Sequence, residues 1–166
     1  AGRENVNLRL MIHKKDLPPH AQGLMDAATV RADLAKPETL TPALQGADVI
    51  VHFAGILFKN NPEKFLPTTN TAYFRNLVDI AVEQKVKRII LISFPHVEGD
   101  STPQNPASGH LNGNPSSVHA RTRLAEEKYL FEMTDKHGFE GVSLRVGMVY
   151  GNGILMIEGA RWFAKH

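Results

Sequence analysis

The sequence predicts an α/β fold, a parallel sheet with crossover helices on both of its faces. Three observations carry this. Short β-branched runs recur along the chain, the sharpest being Val49-Ile50-Val51-His52-Phe53 and Ile89-Ile90-Leu91-Ile92. Runs so short and so continuously apolar are typical of strands buried on both faces. Between these two runs, Phe74, Leu77, Val78, Ala81 and Val82 fall at i, i+3, i+4, i+7 and i+8, a single helical stripe. Strands that alternate with helices need crossover connections, and crossovers make parallel pairs.

Bulk properties narrow the function classes. The 166 residues suit one domain, expected over 1–166. A net charge of +2 with scattered Lys and Arg argues for no nucleic-acid partner. The chain has no cysteine, hence no disulfide frame and no thiolate chemistry. No apolar run approaches the roughly 20 residues of a membrane span, and no signal-peptide pattern opens the sequence. The expectation is a soluble, cytoplasmic protein with no membrane partner.

In chain order, Leu8, Leu10, Met11 and Ile12 predict a strand over about 7–13, followed by Lys14-Lys15 and closed by Pro18-Pro19. A second short strand is expected at 29–32, ending at Asp33. Pro37 or Pro42 suits the first turn of a short helix that Gly46 would end. The strand over 49–53 then stops at Ala54-Gly55. Two small residues at that end let a ligand approach the backbone closely, and ligands of open α/β sheets bind at the strands' carboxyl ends.

The striped helix and the strand at 89–93 follow. The Pro-, Gly-, Ser- and Asn-rich stretch 95–115 has no periodicity, and loops of about 20 residues inside a domain are usually functional or disordered. Ser116 or Ser117 can cap a helix running to about His137, with Gly138 in the stop position. Val142, Leu144 and Val146 predict a last strand before Tyr150-Gly151-Asn152-Gly153, and 154–166 reads as a further helix. Trp162-Phe163 there suits core or an interface, and no internal repeat is present.

Taken together, Arg31-Ala32-Asp33-Leu34, Val51-His52-Phe53-Ala54-Gly55, Asn70 with Asn76-Leu77, Ile89 to Ser93, Arg121 to Glu127, Leu144-Arg145 and Val149-Tyr150-Gly151 resemble the extended short-chain dehydrogenase/reductase family, in its nucleotide-sugar epimerase/dehydratase branch. The match runs over nearly the whole chain. The resemblance implies a Rossmann-like sheet, NADP or NAD as cofactor, and a small-molecule substrate. Asp33, with Leu34 beside it, matches the position whose carboxylate takes a hydrogen bond from the adenine amino group; a turn or helix-cap Asp is the plainer alternative. Ala54 and Gly55 match the segment whose backbone lies against the cofactor. Lys14 falls near the end of a strand where the family uses an acid on the ribose hydroxyls. A cation there suits a 2′-phosphate and favours NADP, although a solvated surface lysine explains it equally well. Family members often form homodimers through long helices such as the one starting at Ser117.

The departures bear on chemistry. The family opens with a strand and a Gly-rich turn that seats the pyrophosphate, and this sequence shows neither, so the sheet is expected with its first strand missing. In the order 3-2-1-4-5-6 that strand is central, and its loss leaves half-sheets 3-2 and 4-5-6 with edges roughly 10 Å apart. Direct pairing of those edges, a segment from another chain, or a longer natural protein would each resolve the exposed edges, and the last is the expectation.

The family's catalytic Tyr-x-x-x-Lys falls on His119-Ala120-Arg121-Thr122-Arg123. Positions i and i+4 share a helix face. An imidazole at His119 can exchange a proton and a nearby guanidinium would lower its pKa, but Arg123 cannot titrate as a lysine does. Two surface polar residues are the plain alternative. The family's catalytic Ser or Thr position holds Phe94, with Ser93 one residue early; a strand-end serine can equally satisfy a backbone group. Asn70 matches the family's helix asparagine, or a simple helix cap. Val146 stands where the family often has Pro.

None of the eight histidines is paired at ligand spacing, so no metal is expected. Two readings stand: a reductase, epimerase or dehydratase with an atypical active site, or a non-catalytic dinucleotide sensor or scaffold.

Overall fold

The computed structural model describes residues 6–17, 28–55 and 60–147. The expected helix at 154–166, the Tyr150-Gly151 turn and Pro18-Pro19 lie outside them. Five strands, β1 (Arg9–Ile12), β2 (Ala28–Arg31), β3 (Val49–His52), β4 (Arg88–Ser93) and β5 (Glu140–Arg145), form two parallel sheets, β1-β2 and β3-β4-β5. Met11 registers with Val30, Val51 with Ile90, and Ile90 with Val142. Among the described residues no strand bridges β1 and β3, so the two half-sheets are separate and their edges do not pair directly.

Three helices, α1 (Pro37–Leu44), α2 (Tyr73–Glu83) and α3 (Val118–His137), build the core. Pro37 opens α1, where its missing N–H costs nothing. Pro42 sits inside α1 on its exposed side, so water can reach the carbonyl its ring leaves without a donor. Arg9 ties β1 to the far end of α1 by donating Nη1 to the carbonyls of Ala43 (2.8 Å) and Gln45 (2.9 Å). Ser117 caps α3 by accepting from the Ala120 N–H at 3.2 Å, and Gly138 ends it at φ +75°, a left-handed conformation that suits glycine. The α2 stripe buries Phe74, Leu77, Val78 and Ala81 against Leu40, Leu44, Ile89, Leu91 and Leu130. Burying each such large side chain contributes about 1.5–3 kcal/mol.

Two expectations need correction. The strands β3 and β4 are not buried on both faces. Ile89 and Leu91 are buried under the helices, with His52 and the partly buried Ile50 on the same side. Val49, Val51 and Phe53 are 47, 48 and 72 % exposed, with Leu144 beside them at 46 %. The three described helices share one core and cover one side, and the two-residue period of a strand sends every second side chain to the other. The stretch 95–115 is also not wholly irregular, since Pro95–Glu98 forms a 3₁₀ turn.

One element has no counterpart in the sequence pattern. Pro67–Ala72 winds as a π-helical turn leading directly into α2, and it carries the buried Asn70. Such wide turns are rare and recur at functional sites.

Candidate active site

The carboxyl ends of the parallel strands gather most of the expected site residues. Beyond β1 lie His13 and the exposed Lys14; beyond β2 lies Asp33. Asp33 Oδ1 accepts from the Ala35 N–H at 3.0 Å, and Oδ2 lies 3.3 Å from His13 Nε2. The Ala35 N–H, with His13 adding to it, holds the Asp33 carboxyl below the usual range. Asp33 Oδ1 thus braces its own turn. The Leu34 carbonyl accepts from Asn76 Nδ2 at 2.8 Å, which fastens this rim to α2.

At the end of β3, Ala54 and Gly55 are exposed, and Arg123 reaches them from α3. Arg123 donates Nη2 to the Ala54 carbonyl at 3.1 Å and Nη1 to Glu126 Oε2 at 2.7 Å. A Cβ on Gly55 would lie 2.3 Å from Nη2, so a side chain there would displace the guanidinium. Glu126 is fully buried, and burial pushes its carboxyl up to about 7 against the opposing pull of Arg123.

The imidazole of His52 lies within the influence of Arg123. His52 is buried with its ring 5.0 Å from that of Phe74, and burial, aided by Arg123, lowers its pKa to about 3. His119 is half-buried; among the described residues its side chain has no hydrogen-bond partner, and its carbonyl accepts from Thr122 Oγ1 at 3.0 Å. The shared helix face exists, but Arg123 is engaged elsewhere.

Asn70 is not a helix cap. Its Nδ2 donates to Thr122 Oγ1 at 3.1 Å, joining the π turn to α3 between His119 and Arg123, while Oδ1 has no partner among the described residues. Ser93 is buried on the strand face shared with His52 and Leu91, and its Oγ has no partner among the described residues. Its carbonyl accepts from the Val146 N–H at 3.3 Å. Phe94 therefore stands at the mouth: it is 38 % exposed and its ring lies 5.0 Å from that of His96. Phe94, His96, Asp100, Ser116 and Ser117 line a cavity of about 220 Å³.

The loop after Glu98 is held by that residue. Its carboxylate accepts from the N–H groups of Ser108 (2.9 Å) and Gly109 (2.7 Å), meets His110 Nε2 at 3.1 Å and pairs with Arg145. Those contacts, the Ser108 N–H foremost, keep the Glu98 carboxyl below its ordinary range. Arg145 is bound in turn by the fully buried Glu127. Among the described residues no three His, Asp or Glu side chains converge on a metal position. No described helix is long and apolar enough to cross a membrane.

Glu126, His52 and Asn76 were not singled out as site residues from the sequence. The one available signal was an acid three residues after Arg123 on a helix whose neighbouring acid, Glu127, is also inward-facing.

A strand-end rim of this kind, served by a helix-borne cation, belongs to the Rossmann-like class. The model of the NAD dependent epimerase/dehydratase family matches residues 4–161, and the chain belongs to that family. It is 26% identical over 138 residues to a uronate dehydrogenase of Pseudomonas syringae pv. tomato, covering 82% of this chain and 50% of the relative. A second uronate dehydrogenase, from Pseudomonas putida, is 27% identical over 118 residues, covering 71% of this chain and 44% of that protein. The chain thus spans about half the length of the curated relatives it matches. Among solved structures, a dTDP-glucose 4,6-dehydratase from Streptomyces venezuelae with NAD bound superposes with a TM-score of 0.75 at 18% identity, over 96% of this chain and 53% of that one.

Proposed function

We propose that this chain supplies the dinucleotide-binding sheet of an NAD(P)-binding protein of the epimerase/dehydratase type, with an atypical proton-transfer site. The observation that carries the reading is the contact of Arg123 with Ala54 and Gly55. It brings a helix-borne cation to the strand end where a cofactor backbone would lie, at a glycine that leaves space for it. The residues fit such a group. Asp33 and Leu34 would meet the adenine, Ala54 and Gly55 the nicotinamide side, and Lys14 a 2′-phosphate. Arg123 keeps an unspent N–H on Nη2 for a ribose hydroxyl, because each terminal nitrogen carries two.

A nicotinamide ring, when bound, takes up or supplies hydride. The chain's own part is to orient it and to manage a proton. His119, with no partner on its ring among the described residues, is the group able to exchange that proton; Arg123 stays charged throughout. Asn70 stiffens α3 beneath them through Thr122.

Phe94 at the position of the family's hydroxyl, and the engagement of Arg123 by Glu126, favour the second reading: a sensor or scaffold that binds dinucleotide without turnover. Isothermal titration of the purified protein with NADP and NAD, followed by assays with nucleotide sugars and hexuronates, separates the two. Binding with turnover supports the enzyme, and binding without turnover supports the sensor. No binding of either dinucleotide overturns both.

A further inference from the structure

We propose that Glu126 is a positioning residue: its buried carboxylate holds the Arg123 guanidinium against Ala54 and Gly55 and so aims it at the ribose hydroxyls of a dinucleotide. This rests on the cofactor reading above.

Three observations lead to it. First, Arg123 is held from two sides, by Glu126 Oε2 at 2.7 Å and by the Ala54 carbonyl at 3.1 Å, which leaves its side chain 13% exposed. A long side chain fixed at both terminal nitrogens has lost its rotamer freedom before any ligand arrives, and preorganisation of that kind favours binding. Second, Gly55 supplies the space, since a Cβ would fall 2.3 Å from Nη2.

Third, Glu126 differs from the carboxylate next to it. Glu127 is equally buried but fully engaged. It accepts from Ser143 Oγ at 2.9 Å, from Arg145 Nε at 3.1 and 3.2 Å, and from Arg145 Nη2 at 2.6 Å. Among the described residues Glu126 pairs with Arg123 alone, and its buried Oε1 has no partner. A buried ion pair with half of its carboxylate's bonding unmet contributes little net stability, because desolvation offsets the attraction. The arrangement therefore makes sense by what it does to Arg123, rather than by stabilising the fold.

The test is titration of wild type, Glu126→Met, Glu126→Gln and Glu126→Asp with NADP and NAD, alongside the unliganded melting midpoint of each. Glu126→Met is expected to weaken binding at least tenfold at temperatures well below its midpoint, which falls because the Arg123 guanidinium is left without its charge partner. Glu126→Gln, whose amide oxygen can still accept from Nη1, is expected to stay within threefold of wild type. Glu126→Asp keeps the charge but shortens the reach by one methylene, and is expected to weaken binding fivefold or more. Wild-type affinity in Glu126→Met or Glu126→Asp, with loss confined to Arg123→Met, overturns this inference and leaves the cofactor reading standing. Failure of the wild type itself to bind either dinucleotide overturns both.

Discussion

His52 and Glu126 both sit near Arg123, yet burial moves their proton affinities in opposite directions. The His52 imidazole is neutral in the fold, with its pKa lowered from 6.5 to about 3. Its contribution is complete above pH 6.5 and is lost as pH falls through that range, because only the unfolded chain then takes up the proton. Glu126 is raised from 4.5 to about 7, so its contribution is complete below pH 4.5 and is lost as pH rises through 7. At about 1.4 kcal/mol per pH unit, the Glu126 effect is on the order of 3 kcal/mol. Between pH 4.5 and 6.5 the two slopes oppose each other. Urea unfolding at pH 4.5, 5.5 and 6.5 is therefore expected to show stability falling with pH in His52→Leu and rising with pH in Glu126→Gln; equal slopes in the two variants would refute the assignment. Arg123 was singled out because its spacing from His119 reproduces a family motif. His52 and Glu126 were not, since nothing in local composition says that a polar side chain will be enclosed by residues far along the chain.

Among the elements, α2 and α3 were readable because their information is local. The α2 stripe lies within nine residues, and Ser117 and Gly138 mark the ends of α3 with their own side chain and backbone. The π turn before α2 leaves no periodic trace, and Asn70, matched to the family's helix asparagine with a helix cap as the plain alternative, bridges to Thr122. The anchoring of the loop after Glu98 was equally invisible, because it depends on partners 10 to 47 residues away. That anchor has a direct test. Glu98→Ala leaves Arg145 paired with Glu127 but frees the N–H groups of Ser108 and Gly109 and the His110 ring. Loss of several charge-assisted bonds is expected to lower stability by about 1–3 kcal/mol. Limited proteolysis followed by mass spectrometry should show faster cleavage between Gly99 and Ser117, and an unchanged rate would mean that the loop is held by something else.

For the molecule as a whole, the alternation of strand and helix was enough to foresee parallel pairing, while the sequence left open whether the two half-sheets pair directly; among the described residues they do not. What composition misjudged was burial. Val49, Val51 and Phe53 have the apolar character of interior residues, and the described helices all lie across the sheet from them. A neighbouring row of half-covered Ile90 and Ile92, with Leu144 at its edge, extends that open flank. Contiguous oily surface of this kind attracts amphiphiles even when the chain is fully native. The 166-residue polypeptide should therefore light up anilinonaphthalene sulfonate well below its melting transition, and Val51→Lys should dim that fluorescence without shifting the midpoint.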